Sequence, residues 1–260
     1  MVVHGGGLAV YVACSSECFR NYSLDRALRT IHELRFAKVD LSIGEESSHL
    51  RTSEIVEDVN RVAQALRVTN MSFSAFHLSL SSEDSDANRE ALRCVSRLGR
   101  LLAIPVVSIL AASRGSDLSA ELKRLAHWNR IAVAEGVILA VTTHCQTVTA
   151  DPLGTAELCK RIPGLGLTLD PSHYLAGSHP RDDFDLLYPY VRHVRLRDSK
   201  GDKLQVRVGQ GEIDYSKIIT QLERSRYDRA LSVDIQPIPD QDFPMEPEVR
   251  KLKFLLESML

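Results

Sequence analysis

Few features of this 260-residue chain point away from an ordinary soluble enzyme fold, and its shortages say the most. Its five cysteines, Cys14, Cys18, Cys94, Cys145 and Cys159, are odd in number and scattered without a CxxC unit, which argues against a disulfide framework or structural zinc and suits a reducing cytoplasm. Charge of one sign is not in excess. Lys and Arg total 32 against 34 Asp and Glu, a formal −2, so no global positive field exists to hold nucleic acid through its phosphates. Long apolar runs are missing too. No stretch approaches membrane-spanning length, and the start, Met-Val-Val-His-Gly-Gly-Gly, has no cationic region leading into an apolar one, so we expect a soluble protein without a membrane partner. No GxGxxG turn follows the first apolar run. Gly5-Gly6-Gly7 precedes it and reads as a flexible N-terminus, while Gly209-Gln-Gly211 stands alone.

Against these absences the chain carries a regular rhythm. Short β-rich apolar runs at Leu8-Cys14, Ala37-Ile43, Met71-Leu78, Pro105-Leu110, Val137-Thr143, Leu165-Asp170, Val191-Arg197 and Ala230-Ile235 alternate with helical periodicity. Helices are expected from Ser23 to Leu34 behind a Ser cap, and over Asp84-Leu102, Leu118-Glu135, Tyr215-Arg224 and Glu246-Leu260. About eight βα units in a chain of this length, 44% hydrophobic, favour one α/β domain over residues 1–260, a closed (β/α)8 TIM barrel. Pro237 to Pro244 reads as a long final βα loop.

In such a barrel the functional groups stand at the C-terminal strand ends and on the loops that follow. That rule selects His77, Thr142, His144, Asp170, His173, Arg195, Arg197, Asp198, Gln205 and Asp234, and leaves His4, His32, His49, His127 and His179 without functional weight. His193, Arg195 and Arg197 share one face of a strand whose other face, Val194 and Leu196, is apolar. Their face must meet something polar. Asp170 and Asp234, each ending a strand, mark a charged pocket where strand ends converge.

Seven segments in this order carry a family resemblance: Ser23-Leu-Asp-Arg-Ala-Leu-Arg, Ala75-Phe-His77, Leu139-Ala-Val-Thr-Thr-His144, Leu167-Thr-Leu-Asp170-Pro-Ser-His173, His193-Val-Arg-Leu-Arg-Asp198, Gly209-Gln-Gly-Glu-Ile-Asp214 and Tyr227-Asp-Arg-Ala-Leu-Ser-Val-Asp234. Nearly end to end, the chain resembles the xylose-isomerase-like TIM barrels, which include sugar and sugar-phosphate isomerases and epimerases and also apurinic-site endonucleases. The resemblance implies a divalent metal (manganese, zinc, cobalt or magnesium) at the barrel mouth, held by acidic residues on strands five, six and eight and a histidine on seven. It also implies proton transfer next to a ketose carbonyl, the cation stabilising enediolate charge. This sequence departs from that pattern. Thr142 replaces the strand-five glutamate, Arg195 the strand-seven histidine and Asp234 the strand-eight glutamate, so Asp170 and Asp234 are remnant metal positions and no cofactor is firmly expected.

Arginine has no lone pair for a metal, so Arg195 is expected to sit as a cation between Asp170 and Asp234 or, with Arg197, to grip a phosphate or carboxylate of a substrate, and the two are not exclusive. Asp170, Asp234 and His173 are the catalytic candidates; His77, His144, Arg195, Arg197 and Gln205 are the substrate-binding ones. For His173 the alternative is a loop-capping histidine, and for His77 and His144 a loop anchor. Gln205 and Asp198 suit a loop-orienting role at the rim as well as substrate contact, and Cys145 is read as an inert thiol before a nucleophile. A relocated metal site built from His144, Asp170, His173 and Asp234 is a further option. Three function classes follow: a sugar or sugar-phosphate isomerase or epimerase with an altered metal site, a catalytically degenerate barrel that binds a small anionic or sugar-like ligand, and a DNA-repair endonuclease. The last is disfavoured by Ala111-Ala112 at the end of strand four and by the nearly neutral overall charge.

Overall fold

The computed structural model describes residues 10–176, 183–239 and 243–260. His4, Gly5-Gly6-Gly7, Leu8, His179 and part of the expected Pro237–Pro244 loop lie outside the described residues. Eight parallel strands close on themselves in sequence order: β1 (Tyr11–Ser15), β2 (Lys38–Gly44), β3 (Ser72–Ser79), β4 (Val106–Leu110), β5 (Ile138–Thr142), β6 (Gly166–Leu169), β7 (Val191–Leu196) and β8 (Ala230–Val233), with β8 hydrogen-bonded to β1. The expected TIM barrel is therefore the observed one.

Around it run α1 (Leu24–Glu33), α2 (Thr52–Glu57), α3 (Val59–Arg67), α4 (Asp86–Leu101), α5 (Leu118–Ala134), α6 (Pro152–Arg161), the single turn α7 (Ser172–Leu175), α8 (Tyr215–Arg224) and α9 (Met245–Glu257). Ser23 does precede α1, but its hydroxyl makes no capping bond; Ser85, Asp117 and Asp151 do cap α4, α5 and α6. The break between α2 and α3 falls at Asp58, whose side chain accepts from the Arg61 N–H and so starts the second helix.

Period-two alternation on every strand sorts side chains between two compartments. Leu139 and Val141 on β5, Leu167 and Leu169 on β6, Val194 and Leu196 on β7, and Leu231 and Val233 on β8 join the large core beneath the helices. The intervening residues face the lumen. At its lower end Ala75, Val106 and Ala140 form a small separate apolar cluster. Above them the lumen is polar, with small serine and threonine side chains standing among Asp40, His77 and His193, where barrels of this type usually pack bulky branched residues. Buried polar groups need partners, and these are found across the ring: Ser108 of β4 with Thr168 of β6, and Asp40 of β2 with His193 of β7. Small side chains drawn together by hydrogen bonds leave space above them, so a cavity opens at the C-terminal ends of the strands.

Candidate active site

That cavity has a volume of about 280 Å3 and is lined by Glu17, Ser42, His77, Ser108, Thr142, His144, Asp170, His173, Arg195, Arg197 and Gln236, with apolar wall from Leu78, Ile109, Leu110 and Leu204. Most of the candidates selected at strand ends therefore meet in one place. Gln205 and Asp198 do not line it, and Asp234 lies fully buried behind the arginines that do.

Two aspartates and two arginines dominate its charge. Arg197 Nη2 donates to Asp170 Oδ2 at 2.5 Å and to Asp234 Oδ2 at 3.2 Å, while Arg195 Nη2 donates to Asp234 Oδ1 at 2.7 Å. The cation between the two carboxylates is thus Arg197, not Arg195 as the sequence suggested. The reason is register: Val233 pairs with Leu196, so Asp234 stands level with Arg197, one layer above Arg195. Arg195 reaches up to one aspartate, and Arg197 spans both. Each guanidinium keeps a buried Nε with no hydrogen-bond partner.

Burial alone would raise the Asp170 carboxyl, yet the adjacent Arg197, with His173 and the Ser172 hydroxyl, holds it below the usual carboxylate range. For Asp234 burial is likewise outweighed by Arg195 and Arg197, which hold it far below that range. Both arginines stay charged, their burial outweighed by these carboxylates. The upper layer therefore sums to zero charge, two cations against two anions.

The histidines behave oppositely. Burial pushes His173 down to about 4 despite the Asp170 carboxylate 3.7 Å from its Nε2, and burial with Arg195 nearby pushes His77 down to about 4. His144 is lowered as well, chiefly by burial; its Nδ1 accepts the Gln146 N–H at 3.1 Å and its ring lies 4.0 Å from that of His173. Near neutral pH all three are neutral rings able to accept a proton. Cys145 Sγ is 3.4 Å from His173 Nδ1 and half-buried, outside the cavity lining.

Gln205 and Asp198 orient loops. Gln205 exchanges two hydrogen bonds with the Gln236 backbone, at 2.7 and 2.8 Å, tying the loop after β7 to that after β8. Asp198 accepts from the N–H groups of Gly209 (2.7 Å), Gly211 (3.0 Å) and Ser199 (3.1 Å). This accounts for the isolated Gly209-Gln-Gly211. Gly209 has φ +84°, and a Cβ on Gly211 would lie 2.0 Å from Asp198 Oδ1 and 2.6 Å from the Ser199 carbonyl.

Two carboxylates escaped sequence reasoning. Glu17, in the turn after β1, lines the cavity and should have been found by the strand-end rule. Asp40 lies within β2, below the strand ends, where that rule does not look; the available signal was a charged residue flanked by apolar ones in a strand. Asp40 Oδ2 accepts from His193 Nε2 at 2.7 Å and lies 3.5 Å from His77 Nε2, while Oδ1 accepts from the Ser74 hydroxyl. Burial would raise its carboxyl, but His193 and His77 hold it well below the usual range.

A metal at the position expected from the resemblance does not suit these residues. Thr142 offers a neutral hydroxyl, Arg195 no lone pair, and Asp170 and Asp234 already accept from guanidinium groups. The relocated set is undone in the same way, since Arg197 holds two of its four members. Among the described residues two other groups bring ligand atoms within 4.8 Å of one another: His144, Cys145 and His173 at the rim, and Asp40, His77 and His193 deeper down.

A parallel (β/α)8 barrel with a polar cavity at the C-terminal ends of its strands defines the class. The chain belongs to the xylose isomerase-like TIM barrel family, whose model matches residues 28–255. No curated protein sequence matches it. Among solved structures it is similar to an L-ribulose 3-epimerase (TM-score 0.74, 16% identity, 96% of this chain and 95% of that one) and to the IolI protein with a bound zinc atom (0.73, 15%, 96% and 99%). It is also similar to the probable 3-DHS dehydratase AsbF of Bacillus anthracis (0.71, 17%, 93% and 98%). At these identities the likeness shows the fold. Among the described residues no helix is long and apolar enough to cross a membrane.

Proposed function

We propose that this protein is a sugar or sugar-phosphate isomerase or epimerase that moves a proton next to a carbonyl at the mouth of the barrel, with arginine in the place where its family holds a metal. The observation that carries the reading is a neutral, cavity-facing imidazole, His173, set beside the Arg195–Arg197 pair. A cavity of about 280 Å3 lies just below the roughly 300–1,000 Å3 typical of small-molecule sites, which suits a monosaccharide-sized ligand. Its lining of hydroxyl, imidazole and guanidinium groups matches a polyhydroxylated one, and His77, His144 and Thr142 are placed to meet substrate oxygens.

In this reading His173 takes the proton from the carbon beside the carbonyl and returns it. The negative charge that develops on the carbonyl oxygen is met by guanidinium N–H groups. The same charge raises the basicity of the neighbouring ring, so an imidazole that is a weak base in the free protein becomes a competent one as the proton leaves. Asp170 and Asp234, held as anions by the arginines, act as positioning residues: Asp170 faces His173 Nε2, and both fix the guanidinium forks. The reducing compartment expected from the cysteines suits all five being free thiols.

A second reading has its own support. Both cavity aspartates are saturated by arginine, which is also what a binding barrel without chemistry would contain. Solvent exchange separates the two. The protein is incubated in D2O with a panel of ketoses, aldoses and their phosphates, and loss of the proton beside the carbonyl is followed by 1H NMR. Exchange that disappears in His173→Gln at unchanged melting temperature supports the enzyme; binding without exchange supports the binding barrel; exchange undiminished in His173→Gln removes His173 from its role.

A further inference from the structure

Below the arginine layer the lumen holds a second constellation, of which the proposed proton transfer uses only His77, as a contact to a substrate oxygen. Asp40 of β2, His77 of β3 and His193 of β7 are all buried, all mounted on strands, and all aimed at one point. Nε2 of His193 lies 2.7 Å and Nε2 of His77 3.5 Å from the same oxygen, Asp40 Oδ2, and the three atoms fall within 4.8 Å of one another. An ion about 2.1 Å from each of three ligands holds them roughly 3.0–3.4 Å apart. The two separations from Asp40 Oδ2 bracket that value and the third is no more than 4.8 Å, so small side-chain movements close the set. Strand-mounted ligands are held more firmly than loop-mounted ones.

We propose that Asp40, His77 and His193 form a divalent transition-metal site on the floor of the cavity, a layer below the position at which the family resemblance places a metal. Two imidazoles and one carboxylate are a donor set for zinc, manganese or ferrous iron, and grouped on one side of the ion they leave its other positions open. Those positions face the cavity: His77 lines it, flanked in register by the hydroxyls of Ser42 and Ser108. The Ser74 hydroxyl, donating to Asp40 Oδ1, orients the carboxylate from behind as outer partners of metal ligands do. Nor does the layer above repel a cation, since Arg195 and Arg197 are balanced by Asp234 and Asp170. The rim group is the poorer candidate. His144 Nδ1 is already taken by the Gln146 N–H, and the His144 and His173 rings are packed against each other, tilted by 38° with centroids 4.0 Å apart.

The alternative is a metal-free triad in which protons alone join the two rings to Asp40. To decide, the full chain is stripped with chelator, dialysed, and titrated with zinc, manganese or cobalt chloride by calorimetry, with ion content read by elemental analysis and ligand type by the visible spectrum of the cobalt form. The expected result is one ion per chain, a rise in melting temperature with added ion, and an affinity weakened more than about 100-fold in His77→Gln and by about 10–100-fold in Ser74→Ala. Asp170→Asn, which alters the position implied by the resemblance, should still bind one ion per chain, more weakly because it leaves the arginine layer above with a net positive charge. Circular dichroism of each variant without metal separates lost binding from lost folding, and Ser74→Ala serves should His77→Gln not fold. No binding by the stripped protein at millimolar ion overturns the proposal, as does binding that survives His77→Gln or disappears in Asp170→Asn. The measurement uses no substrate, so its outcome is independent of the proposed proton transfer.

Discussion

Removing Arg197 isolates the electrostatic keystone of the cavity. In Arg197→Ala the carboxylates of Asp170 and Asp234 remain buried at the mouth, Asp234 keeps Arg195 alone, and Asp170 keeps only Ser172 and a neutral His173. Breaking a buried ion pair by removing one partner costs about 3–5 kcal/mol, because the charge left behind has neither water nor counter-ion. At about 2–4 °C per kcal/mol for a domain near this size, the melting temperature should fall by roughly 6–20 °C at pH 7. The pH dependence gives the sign. In the wild type both carboxyls sit below their unfolded values, so they contribute stability above the ordinary carboxylate range, and it is lost as pH falls through their folded values. In the variant an unpaired buried carboxyl binds its proton more readily folded than unfolded, so acidification favours the folded state. The gap between the two proteins should therefore narrow from pH 7 to pH 4. Asp170→Asn with Asp234→Asn in the Arg197→Ala background should recover much of the loss, and Arg197→Lys, which keeps a charge without the fork, should fall between. A melting temperature unchanged in Arg197→Ala across this range would refute the reasoning.

Four further outcomes follow from the same geometry. Arg195→Ala should cost less, about 1.5–3 kcal/mol by thermal melting, since Asp234 retains Arg197. Wild-type melting temperature should fall steadily below about pH 4, as the two depressed carboxyls take up protons. Gly211→Ala should cost about 1–3 kcal/mol, because a methyl there displaces the Asp198 carboxylate that gathers three backbone N–H groups. His173→Gln should abolish carbonyl-adjacent exchange in D2O while leaving the melting temperature nearly unchanged.

The barrel was legible because eight short, largely apolar runs alternate with amphipathic segments, a pattern the closed parallel sheet reproduces strand for strand; α8 was bounded correctly at both ends. Site composition was legible where residues end strands, as for His77, Thr142, His144, Asp170, Arg195 and Asp234. What could not be read was register. Whether Arg195 or Arg197 stands level with Asp234 depends on the stagger between β7 and β8, which local sequence does not encode. Asp40 was missed for a related reason. Its partner His193 lies 153 residues away on a strand that is not a neighbour, so only closure of the barrel brings them within 2.7 Å.

The most direct measurement of the central claim is a crystal structure from crystals grown with manganese or zinc, with anomalous data collected at the metal edge. The Arg197 guanidinium should lie between Asp170 and Asp234, with Arg195 on Asp234 and no anomalous peak among those carboxylates. An ion bound by Asp170 and Asp234, with both guanidinium groups turned away, would contradict the claim.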